Sequence, residues 1–136
     1  MNYMLDTDTC SYLMRQRALS VVQALHDTAR QGHVIMISVI TYQELRFGAH
    51  RKGAAKYHQL IDSICARLDR IADWTADGAD RFAVLHAQLM EQGTPIGYTD
   101  TMIAAHALTL DAVLVSNNQK HFSKVPELSL ENWVTT

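Results

Sequence analysis

The sequence is poor in the residues that staple or interrupt a chain. It has two cysteines and two prolines in 136 residues. Cys10 and Cys65 stand far apart with no CxxC spacing, which argues against a disulfide scaffold and against a thiolate zinc site. Pro95 and Pro126 mark no linker, the six glycines are scattered, and no repeat or low-complexity tract occurs. A single domain over 1–136 is expected, and with 48% hydrophobic residues it can build its own core. No stretch approaches the ~20 apolar residues of a membrane span. Excess charge is missing too: 12 Lys and Arg face 14 Asp and Glu, a net of −2, which excludes coating of nucleic acid by bulk positive charge but not a local basic patch. The first ten residues reach Asp6 and Asp8 without the basic flank and longer apolar run of a secretory signal. A cytoplasmic protein with reduced thiols and no membrane association is expected.

What is present is an alternation. Short apolar runs at Tyr3–Leu5, Val34–Ile37, Leu68–Ile71 and Ala112–Val115 read as strands apolar on both sides, as in a covered parallel sheet. Between them, helical spacing predicts a helix over Val21–Arg30 ended by Gly32, and one from Ser38 with Ile40, Glu44 and Phe47 on one face. Further helices are predicted after Gly53 with Tyr57, Leu60, Ile61, Ile64 and Leu68 on one stripe, from Ala76 to Gly93, and from Thr99-Asp100. The last is apolar almost all round and belongs in the middle of the domain. The expected fold is α/β, a three-layer α/β/α sandwich on a central parallel sheet. Its site should lie outside the carboxyl ends of the strands.

That rule gives the acids their meaning. Asp6 follows the first strand, Asp8 opens the next helix, Glu44 lies on the helix after the second strand, and Asp100 sits in the first turn of the most apolar helix. Ser116-Asn117-Asn118 follow the last clear strand. Singly, Asp6, Asp8 and Asp100 can be helix caps or dipole partners, and Asn118 a turn residue. Strand-end acids in three separate segments are harder to explain by capping. Two carboxylates about 4 Å apart repel by roughly 4 kcal/mol at an effective dielectric near 20, a cost that a divalent cation removes. An all-oxygen donor set suits Mg²⁺ or Mn²⁺ rather than zinc. Such an ion activates water and stabilises charge on a phosphoryl group, so phosphodiester hydrolysis is the natural chemistry.

Four segments then carry a resemblance: Met4–Thr9, Ile37–Ala49, Pro95–Ala107 and Leu114–Phe122. In this order and spacing they resemble the PIN-domain ribonuclease toxins of the VapC family, over essentially the whole chain. The resemblance implies a Mg²⁺- or Mn²⁺-dependent endoribonuclease with a VapB-type antitoxin. Members are commonly homodimers, and several cut tRNA. It matches Asp6, Glu44 and Asp100 to the three main acids: Asp6 and Asp100 hold the metal, and Glu44 helps through water. Ser116 matches a hydroxyl position near the metal's water shell. Asn118 stands where many PIN domains have a fourth acid, which puts a second metal in doubt. Asp8 stands where the family commonly has Asn or Ser, and either restores charge near the metal or caps the helix.

Residues 41–70 carry a local charge of +3. Arg46, Arg51, Lys52 and Lys56 are candidates for RNA phosphates, and Tyr98 for stacking an unpaired base. The Tyr57, Leu60, Ile61, Ile64 stripe is either core or a groove for an antitoxin helix. Two alternatives stand beside the nuclease. Asp6-Thr7-Asp8-Thr9 also resembles the DxDx[TV] motif of haloacid-dehalogenase-like phosphatases, with Asp6 as nucleophile, although no GDxxxD motif follows. The other is a PIN domain that binds RNA or antitoxin without cutting.

Overall fold

The computed structural model describes residues 1–15 and 19–135. The elements run β1 (Asn2–Leu5), α1 (Thr7–Arg15), α2 (Leu19–Arg30), β2 (Val34–Ser38), α3 (Val39–Lys52), α4 (Ala55–Ala66), β3 (Arg70–Ala72), α5 (Ala76–Glu91), α6 (Tyr98–Thr109), β4 (Ala112–Val115), α7 (Gln119–Phe122) and β5 (Leu130–Glu131). The five strands form one parallel sheet in the order β3-β2-β1-β4-β5. The chain leaves β1 toward β2 on one side and reaches β4 on the other, so the sequence direction reverses between β1 and β4. Ligand crevices form outside such a switch point.

Period-two alternation divides the core. Met4, Met36 and Leu114 face the layer of α5 and α6, packing with Leu85, Leu89 and Ile103. Their neighbours Leu5, Ile35, Ile37 and Val115 face the other layer, packing with Cys10, Val21, Leu45, Ile61 and Ile64 of α1–α4. One-residue alternation thus serves two covered faces, which is why each strand reads as a continuous apolar run. The α6 helix lies where its all-round apolarity put it, with Ile103, Ala104, Ala105 and Ala107 fully buried. No helix among the described residues is long and apolar enough to cross a membrane.

Local chemistry sets the helix ends. Ser38 caps α3, its Oγ accepting from the Ile40 N–H at 3.0 Å. Gly53 closes α3 in the left-handed region at φ +70°, where a side chain would be strained. Gly97, at φ +93°, turns the chain after Pro95 so that α6 starts at the carboxyl edge of the sheet.

Three expectations shift. The third strand is Arg70–Ala72, because Asp69 first bonds Ile35 through its backbone and its Oδ2. The face of α3 that is buried is Thr41, Leu45 and Ala49, and Phe47, two residues from Leu45, points outward at 63% exposure. Leu68 lies beyond the end of α4 at Ala66 and packs on the core from the following turn. The two-residue β5 and the four-residue α7 were too short to show a period.

Candidate active site

A cleft of about 500 Å³ opens at the β1/β4 switch point, lined by Asp6, Asp8, Glu44, Asp100, Asn117 and Asn118, with Thr7 and Ser11 at its side. The four acids come from four places: the end of β1, the first turn of α1, the middle of α3 and the first turn of α6. Among the described residues no Lys or Arg lines the cleft.

Asp6 is 4% exposed. Its Oδ1 accepts from the Thr9 N–H at 2.8 Å, so Asp6 itself is the N-cap of α1. That assigns the cap to Asp6 and leaves Asp8 as an acid of the cleft. Burial pushes the Asp6 carboxyl from 3.8 up to about 6; bonds from Ser116 and Thr9 oppose this, and the Asp8 charge adds to it. Ser116, fully buried at the end of β4, bonds Asp6 and also accepts the Asn118 N–H at 2.9 Å.

Two residues that the sequence left without a role complete the picture. The Thr7 hydroxyl donates to Glu44 Oε1 and lies 3.3 Å from Thr41 Oγ1. His121 Nδ1 lies 3.3 Å from Asp100 Oδ2 and 3.0 Å from Asn118 Nδ2. Thr7 had a signal, since it sits between Asp6 and Asp8. His121 had none, because its place depends on the short α7.

The substrate-side residues divide. Arg46 is held by an ion pair with Asp62, by the Tyr42 hydroxyl at 3.0 Å and by the His58 ring at 2.9 Å, away from the cleft lining. Lys52 lines a hollow of about 220 Å³ that shares Thr7, Ser11 and Glu44 with the cleft. Lys52 and Lys56 lie 4.5 and 5.2 Å from the Tyr57 ring, and Arg51 lies 6.0 Å from that of Phe47. Tyr98, at the start of α6, is 68% exposed and packs on His86 at 4.6 Å and Phe82 at 5.8 Å.

The PIN domain family matches residues 3–128. The chain belongs to the VapC family of PIN domains. It is 36% identical over 134 residues to ribonuclease VapC2 of Rickettsia felis, covering 98% of each chain. It is 30% identical over 135 residues, again 98% of each, to the tRNA(fMet)-specific endonuclease VapC of Salmonella typhimurium. A solved VapBC2 complex from Rickettsia felis, bound to a DNA fragment from its promoter, superposes with a TM-score of 0.91 at 35% identity over 98% of this chain and 99% of that one. Membership in this family sets aside the phosphatase reading of Asp6.

The donor set fits a hard divalent cation. It is all oxygen, it includes a desolvated carboxylate, and among the described residues that carboxylate has no cationic partner and the cleft no basic side chain. Among the described residues no three His, Cys, Asp or Glu side chains stand close enough together to hold a metal ion between them. Mg²⁺ does not need such a cluster, since it binds through one or two carboxylates and keeps several waters.

Proposed function

We propose that this chain is the toxin of a type II toxin–antitoxin pair, a divalent-metal-dependent endoribonuclease acting on RNA, with tRNA as its substrate class, in the cytoplasm. The observation that carries the reading is the convergence of Asp6, Asp8, Glu44 and Asp100 on one cleft at the switch point, with no basic side chain lining it among the described residues. Asp6 and Asp100 would hold Mg²⁺ or Mn²⁺, with Glu44 reaching it through water. When bound, such an ion makes an adjacent water more acidic and offsets charge on the scissile phosphate. Ser116 and the Thr9 N–H fix the Asp6 carboxylate. Thr7 engages Glu44 Oε1, which leaves Oε2 to orient the attacking water. Lys52, with Arg51 and Lys56, would follow the RNA backbone, and Tyr98 would stack a splayed base. Asn118 supplies an amide where a fourth acid would add charge, which supports a single metal.

The partner in this reading is a VapB-type antitoxin, supported by the likeness to VapBC complexes. Of the stripe on α4, Ile61 and Ile64 are core, and the edge of Ile64 joins Leu60, Leu13 and Met14 around a hollow of about 270 Å³ between α1 and α4. An antitoxin helix would dock there. Pairing of two copies belongs to the same reading, and the exposed Val84 and Met90 on α5 are apolar surface it would cover.

The decisive experiment incubates the antitoxin-free chain with total RNA and with tRNA transcripts, and maps the new ends. Cleavage that needs Mg²⁺ or Mn²⁺, stops with EDTA and is lost in Asp6→Asn and Asp100→Asn supports the reading. Cleavage that survives both changes defeats it. RNA or antitoxin binding without cleavage under any metal would favour the non-cutting alternative.

A further inference from the structure

The turn after β4 touches both acids that the proposed function assigns to the metal. At its start, Ser116 bonds Asp6. Five residues on, His121 Nδ1 lies 3.3 Å from Asp100 Oδ2. The segment between is tied to itself: the Asn118 N–H reaches Ser116 Oγ at 2.9 Å, the Gln119 side-chain amide reaches the Ser116 carbonyl at 2.9 Å, and Phe122 is buried beneath it. The imidazole is therefore carried on a short, anchored turn rather than on a free loop.

We propose that His121 is a positioning residue: its Nδ1–H donates to Asp100 Oδ2 and leaves Oδ1 to face a cation. This rests on the nuclease reading for its purpose but not for its geometry. A bare Nδ1 lone pair at 3.3 Å from a carboxylate oxygen would set two acceptors against each other, whereas a proton on Nδ1 makes the same contact attractive. The Asn118 amide, 3.0 Å from Nδ1, is compatible. The two ends of a carboxamide are nearly isosteric, so its oxygen can accept from the same N–H. The opposite arrangement has Asn118 donating to a bare Nδ1, with the proton on Nε2 and Asp100 unheld. The two differ in one observable, the tautomer of His121. Free neutral imidazole favours Nε2–H, so an Nδ1–H form has to be imposed by a partner. Outer groups that hold a ligating carboxylate in this way typically matter by 10- to 100-fold in metal affinity.

The first test is long-range proton–nitrogen NMR of the full, metal-free chain at about pH 8.5, where an ordinary imidazole is neutral, with the His121 ring assigned by its loss in His121→Asn. An Nδ1–H tautomer is expected, and an Nε2–H tautomer overturns the proposal. The second test is Mn²⁺ binding to intact variants. His121→Gln, whose amide lies at the wrong reach, should bind about tenfold more weakly. His121→Asn, which places an N–H at the δ position, should recover most of that affinity. Equal behaviour of the two variants overturns the proposal. Should the native chain bind no Mn²⁺ at all, the nuclease reading fails while the tautomer still decides the His121–Asp100 pairing.

Discussion

The Thr7 hydroxyl donates to Glu44 Oε1 and so ties the first residue of α1 to the middle of α3. Both helices pack on the same face of the sheet, yet Glu44 reaches the cleft only from the second crossover, and Thr7 fixes how it arrives. Thr7→Val keeps the shape and removes the donor. It should lower the cleavage rate about tenfold, with a stability cost of about 1 kcal/mol, read by single-turnover kinetics beside a thermal melt. Thr7→Ser should recover the rate. A rate unchanged in Thr7→Val would mean that Glu44 needs no such anchor.

Asp6 and His106 should pull the pH dependence of stability in opposite directions. Burial holds the Asp6 carboxyl at about 6 against 3.8 in the open chain. Between those values the native state binds more protons than the unfolded one, so stability falls as pH rises through the window. Above it the ionised acid costs about 3 kcal/mol. His106 is buried beside Trp74, with Nδ1 at 2.7 Å from Ser38 Oγ and, among the described residues, no hydrogen-bond partner in good geometry at Nε2. Its pKa is lowered, chiefly by burial. Here the unfolded state gains the proton first, so stability is full above the ordinary histidine value of 6.5 and falls with acid below it. Asp6→Asn keeps the α1 cap, since Asn caps as well as Asp. Melts of the metal-free proteins should show Asp6→Asn more stable near neutral pH by about 1–3 kcal/mol and more steeply destabilised by acid. Added Mn²⁺ should raise the melting temperature of the native chain at about pH 8 and leave Asp6→Asn nearly unmoved. Parallel pH curves for the two proteins would contradict the assignment.

The fold was largely readable because its strands are apolar on both sides and its central helix all round. Such runs announce a covered parallel sheet, and the sheet then says where acids at strand ends must meet. Phe47 reads as buried from the sequence because α3 has few large apolar residues to fix its phase. Thr41, Leu45 and Ala49 form a small, partly polar buried face, beside which a phenylalanine is the more apolar anchor by type. In the cleft, Asp6, Glu44 and Asp100 were visible as charges in the wrong place for a core. Groups that act by contact were not. Thr7 reaches Glu44 across 37 residues and His121 reaches Asp100 across 21, and hydrogen bonds of that range leave no period in a sequence. Arg46 shows the converse: its local charge suggested phosphate, and its partner Asp62, sixteen residues on, was not evident until α4 folded back on α3.

That pairing separates the basic residues by experiment. Arg51→Ala with Lys52→Ala should weaken RNA binding and flatten its salt dependence, with a slope change of about 1.4 for two phosphates on a single strand. Arg46→Ala should leave that slope in place and instead lower stability, by up to about 1 kcal/mol for the ion pair. Filter binding at several salt concentrations, together with melts, distinguishes the two. A reduced slope in Arg46→Ala would mean that its pair with Asp62 opens to RNA.

Tyr98 offers a ring rather than a charge. It is largely exposed, begins the helix that carries Asp100 two residues later, and rests on His86 and Phe82, which stack at 5.2 Å. A preformed aromatic face of this kind loses little freedom when a base lands on it. Base–aromatic stacking contributes about 1–3 kcal/mol per base. Tyr98→Ala should therefore weaken binding of an uncleavable RNA by about 5- to 150-fold. Tyr98→Phe should bind like the native chain, since the face and not the hydroxyl is used. Removing so exposed a ring should move stability by no more than about 0.5 kcal/mol, so a loss of binding would not reflect unfolding. Unchanged RNA binding in Tyr98→Ala, together with a change in molecular mass by light scattering, would assign the ring to a contact between copies of the chain and remove it from the substrate path.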